Sequence, residues 1–111
     1  MNFPDDDNGD VLRRMQEHGF DFSKEHVVDF HAVLATEEAA DKIARMYVED
    51  HKAGNRLENI ETKPHEVGGM RLDLAKRMIV THESVTEFES LLESRVSQFE
   101  GYLDGWGVLN H

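Results

Sequence analysis

The chain has 111 residues and no cysteine, a length typical of one domain and a composition that excludes a disulfide framework, a thiol nucleophile and thiolate metal sites. Against 12 Lys and Arg stand 23 Asp and Glu, a formal charge of −11, which disfavours nucleic acid and anionic membrane surfaces because both are held by clustered cations. The opening Met1-Asn2-Phe3-Pro4-Asp5 lacks the basic and apolar leader pattern, and no apolar run approaches the ~20 residues of a membrane span, so a cytoplasmic chain is expected.

A first helix is predicted from about Asp6 to His18. Asp5, Asp6, Asp7 and Asp10 suit its positive end, Val11, Leu12 and Met15 form a narrow apolar stripe, and Gly19 stops it. Phe20 and Phe22 follow in an extended linker that packs on the core. From His26 to Ala35 apolar residues alternate, with Val28, Phe30, Ala32 and Leu34 on one face and Val27, Asp29, His31 and Val33 on the other. Thr36 caps a second helix, in which Ala39, Ala40, Ile43, Ala44 and Tyr47 keep helical spacing and Gly54 is the stop.

Arg56 to Val67 reads as a weaker strand, and Pro64 sends it to a sheet edge. Gly68-Gly69 is a hairpin turn into a long strand from Met70 to Val80. Thr81 caps the strongest helix, whose expected buried stripe is Val85, Phe88, Leu91, Leu92, Val96 and Phe99, with Gly101 ending it. Tyr102 to Leu109 forms a last short strand. The expectation for residues 1–111 is therefore one α+β domain: an N-terminal helix followed by a ferredoxin-like βαββαβ antiparallel sheet with both long helices on one face.

The chemistry-bearing residues are sparse. Seven histidines show no His-x-x-x-His, His-x-His or Glu-x-x-His spacing, and His31 reads as a half-buried hydrogen-bonding residue in a central strand. No Gly-x-Ser-x-Gly elbow and no phosphate-cradling glycine loop occurs. Neither a catalytic residue, a metal site nor a cofactor is expected. Trp106 is the single tryptophan and sits between two glycines, which suggests a bulge. It reads either as an exposed anchor for a partner or as a ring folded over the sheet end, with Asp104 capping a turn.

Thr81-His82-Glu83 opening an amphipathic helix, followed by Tyr102-x-Asp104-Gly105-Trp106-Gly107, resembles the bacterial regulator of ribonuclease E activity B family. The amino-terminal pattern is similar too: a helix, Gly19, Asp21, a hydrophobic strand, then Thr36-Glu37-Glu38-Ala39-Ala40. The family commonly has proline where Val80 stands, and its best-known members carry an acidic carboxyl-terminal extension beyond the point matching His111. The resemblance implies a non-enzymatic protein that binds ribonuclease E, chiefly its Arg-rich scaffold region, and inhibits RNA processing.

The charge agrees with a basic protein segment as partner, although acidity also serves solubility alone. Glu83, Glu87, Glu89 and Glu93, with Asp104 and Trp106, are the expected contact residues. A second reading, from fold analogy, is a small-molecule or peptide sensor with a pocket lined by His31, Tyr47 and Trp106. Around Pro64, the charges Glu58, Glu61, Lys63 and Glu66 read as edge protection against sheet-to-sheet pairing.

Overall fold

The computed structural model describes residues 3–108, so Leu109 at the end of the expected last strand, like His111, lies outside the described residues. Among the described residues, three helices and four strands follow in the order α1 (Asp7–Glu17), β1 (Glu25–Leu34), α2 (Glu37–Lys52), β2 (Asn59–Pro64), β3 (Met70–Ile79), α3 (His82–Ser97) and β4 (Tyr102–Val108). The protein is an α+β domain whose single sheet is antiparallel throughout. Its strand order is β2-β3-β1-β4. β2 lies at an edge, where the missing N–H of Pro64 is tolerated.

Alternation in β1 decides what lies on each sheet face. Val28, Phe30, Ala32 and Leu34 are all fully buried, and their cross-strand neighbours Leu72 and Leu74 share that face. Leu12 of α1, Ile43 of α2 and Leu92 of α3 join the same cluster. Each fully buried Val, Leu, Ile or Phe of this cluster contributes about 1.5–3 kcal/mol on burial, so this face carries the hydrophobic core. The opposite face pairs His31 with Asp73 and Val33 with Arg71.

Local signals set the helix ends. Asp6 and Thr36 cap α1 and α2 by accepting from Gly9 N and Ala39 N. Gly19 and Gly54 take the left-handed conformation just past those helices, at φ 78° and 108°. The β2–β3 hairpin turns through Gly68 and Gly69, both with positive φ. Phe20 and Phe22 pack on the core edge, with ring centroids 4.8 Å apart.

The structure corrects three expectations. β2 starts at Asn59 rather than Arg56 and ends at Pro64 rather than Val67; Leu57 N instead donates to His51 Nδ1 at 3.0 Å, which holds that stretch against α2. α3 ends at Ser97, and Glu100, not Gly101, takes the left-handed turn at φ 59°. Gly101 is small for another reason: a Cβ there would stand 2.5 Å from Leu34 Cδ1 and 2.9 Å from Val33 O. Finally, Leu91 is not buried but 45% exposed. Its place in the stripe is one step round the helix from the core line of Val85, Leu92 and Val96.

Candidate functional site

α3 carries four of the expected contact residues. Its start is fixed by a reciprocal cap, in which Ser84 N donates to Thr81 Oγ1 at 2.9 Å and Thr81 N donates to Ser84 Oγ at 3.0 Å. With the helix phase set in this way, Glu83, Glu87 and Glu93 stand exposed. Among the described residues none of the three forms an ion pair, so their charges face solvent unneutralised.

Glu89 behaves differently. Its Oε1 accepts from Asn8 Nδ2 at 2.7 Å, and the same nitrogen lies 3.2 Å from Thr86 Oγ1. Asn8 Oδ1 in turn accepts from Trp106 Nε1 at 2.9 Å. One α1 side chain thus ties α3 to β4. Burial pushes the Glu89 carboxyl above the usual glutamate range; the Asn8 hydrogen bond opposes this and neighbouring Glu93 adds to it. A second tie crosses the same seam, from His82 Nε2 to Asp6 Oδ2 at 2.8 Å.

Trp106 owes its position to a bulge. Phe30 pairs with Trp106 and Ala32 with Leu103, so β4 holds one residue more than β1 over this stretch. Gly105, at φ 96°, absorbs the extra residue. The indole is half-buried against the core while Asp104 stays exposed. Asp104 lies apart from the glutamates, its charge being felt at Arg71 on the open sheet face.

That open face holds a polar cluster. His31 Nδ1 lies 2.5 Å from Asp73 Oδ1, and Arg71 Nε donates to the same oxygen at 2.7 Å. Lys63 Nζ approaches the other Asp73 oxygen at 3.3 Å. Burial would raise the Asp73 carboxyl, but the Arg71 and His31 hydrogen bonds outweigh it and hold the carboxyl below its usual range. His31 is therefore a hydrogen-bonding residue. Other histidines have similar local partners: His26 meets Asp21 O at 2.8 Å, and His51 receives the Leu57 N–H.

Two of the surface grooves bear on the expected pocket. One of about 660 Å³ lies between α1 and the end of β4, with Met15, Phe20 and Trp106 in its wall and Arg14 and His18 at its rim. The other, of about 380 Å³, lies between α2 and α3, where Tyr47, Phe88 and Leu91 meet Asp50 and Glu87. Tyr47 and Trp106 thus line separate grooves and His31 lines neither, so the pocket expected from all three is not formed. Among the described residues, no group of three or more His, Asp or Glu is placed to hold a metal ion. No helix of the described residues is long and apolar enough to cross a membrane.

The sequence profile of a family described as regulator of ribonuclease activity B matches residues 5–108. The chain belongs to that family. Comparison with curated proteins gives no match. In this regulator of ribonuclease activity B member, the residues that carry the sequence likeness hold the fold together. Thr81 caps α3, His82 reaches α1, Gly105 makes the bulge and Trp106 is clasped by Asn8. Asn8 gave no sequence signal beyond being a weak helix former in an acidic first turn, because its partners lie 78 to 98 residues away.

Proposed function

We propose that the protein is a non-catalytic, cytoplasmic regulator that binds a ribonuclease E-type endoribonuclease through a basic segment and inhibits its cleavage of RNA. The observation that carries this reading is family membership across residues 5–108, joined to a chain of net charge −11. We read the β2-β3-β1-β4 sheet as the ferredoxin-like arrangement, a scaffold that presents one helix surface and one open strand surface.

The proposed contact region keeps Glu83, Glu87, Glu89, Glu93, Asp104 and Trp106, with a division of labour. Exposed Glu83, Glu87 and Glu93 attract the cationic partner, while Glu89 and Trp106 fix the angle of α3 from within. Asp104 marks the far margin, next to the open face. Direct RNA binding at that face is disfavoured because its cations are already committed. Arg71 and Lys63 both meet Asp73, and Arg77 meets Glu58 at 3.0 Å.

The test is binding of the purified chain to purified ribonuclease E, with and without its Arg-rich scaffold region, at low and at near-molar salt. Expected is binding to the intact enzyme that fails without the scaffold region and weakens steeply with salt, since exposed charge pairs are screened over ~8–10 Å. Binding that survives near-molar salt unchanged overturns the electrostatic part. Absence of binding at any salt overturns the reading.

A further inference from the structure

We propose that the groove between α2 and α3 receives one arginine side chain from the partner's basic segment, packed on Leu91 and Phe88 and paired with Glu87. This rests on the regulator reading above and names the point of attachment.

Three features of the groove select that occupant. Its wall is apolar and partly uncovered: Leu91 is 45% exposed beside Phe88 and Met78, a surface suited to the three-methylene stem of an arginine. Its rim is acidic. Glu87 is exposed and without an ion pair among the described residues, whereas Asp50 is already held by Arg95 at 2.8 Å. Lys76, the one cation of the lining, is turned to Arg56 O at 2.9 Å and leaves Glu87 uncompensated.

The third feature lies at the base, where Tyr47, 2% exposed, packs under the Arg95 guanidinium. Burial pushes its phenol up to about 12 against the opposing pull of Arg95, so the ring stays neutral. A guanidinium suits this setting better than an ammonium, because its plane stacks on aromatic rings while its edge meets carboxylates. Arg95 shows the mode within the protein: its guanidinium lies 4.5 Å from the Tyr47 ring centroid while bonding Asp50.

A fluorescently labelled peptide carrying the Arg-rich scaffold segment, titrated with the full chain and followed by anisotropy, tests the proposal. Leu91→Ala should weaken binding roughly tenfold, as expected for a central contact, and Glu87→Gln several-fold. Glu17→Gln, an exposed acid on α1, should leave it unchanged. Replacing the peptide's arginines by lysines should weaken binding to the wild type and narrow the gap between wild type and Leu91→Ala. Circular dichroism of each variant confirms an intact fold. If the wild type binds and Leu91→Ala and Glu87→Gln bind equally well, the groove is overturned while the regulator reading stands. If intact ribonuclease E binds but the peptide does not, the occupant is overturned. If neither binds, both readings fall.

Discussion

The two flanks of α3 are built from similar materials and end in opposite states. Toward α1, a chain of polar contacts closes the seam: Trp106 donates to Asn8, Asn8 donates to Glu89, and His82 meets Asp6. Toward α2, Arg95 reaches Asp50 at 2.8 Å, but Leu91 is exposed and Glu87 has no ion pair among the described residues. A polar network rigidifies and fixes orientation, whereas a partly apolar flank left uncovered beside an exposed charge is where a partner gains most by binding. The difference teaches that one side of the helix holds the fold and the other is available.

Adjacent leucines give the sharpest way to break that contrast. Leu92 is 1% exposed and Leu91 is 45% exposed. Leu92→Ala should lower stability by about 2–5 kcal/mol, the usual cost of truncating a buried leucine. Leu91→Ala should change it by no more than about 0.5 kcal/mol, the surface range. Urea unfolding of both variants checks this; comparable losses would mean that the α2 flank is closed.

Next in size is the α1 seam. Asn8→Ala leaves the half-buried Trp106 N–H and Glu89 carboxylate without their partner, and should cost about 1–3 kcal/mol. The loss should appear in thermal unfolding, with a change in the Trp106 emission maximum as its surroundings alter. An unchanged stability would show that water replaces Asn8 and that the seam is not structural.

The smallest effect is one of pH. The folded Glu89 carboxyl titrates above its ordinary value because of burial. Folding therefore favours its protonated form, a contribution present below the unfolded pKa and lost as pH rises through the folded one. Glu89→Gln, which keeps an oxygen acceptor for Asn8, should thus be more stable than wild type near neutral pH, with the advantage shrinking toward about pH 4. Melting temperatures across that range test it. An advantage independent of pH would contradict the assigned cause.

Much of the architecture was legible because each signal was local or strictly periodic. The alternation of Val28, Phe30, Ala32 and Leu34, the caps at Thr36 and Thr81, and the Gly68-Gly69 turn each name their own structure. The stop at Gly101 misled because two reasons for glycine, a left-handed turn and a close approach to β1, look alike in one letter. Leu91 misled because a stripe of leucines does not say where the next helix leaves a gap. The site was less legible still. Glu89 reads as one more surface acid until Asn8, 81 residues away, is brought to it. Long-range polar pairing leaves no periodic trace in a single sequence.

Cleavage of a substrate RNA by purified ribonuclease E, in the presence of saturating amounts of this chain, tests the central claim most directly. The account predicts slower cleavage by the intact enzyme, relieved by Leu91→Ala, and unchanged cleavage by the enzyme lacking its Arg-rich scaffold region. Cleavage by the intact enzyme at the same rate with and without the chain would contradict it.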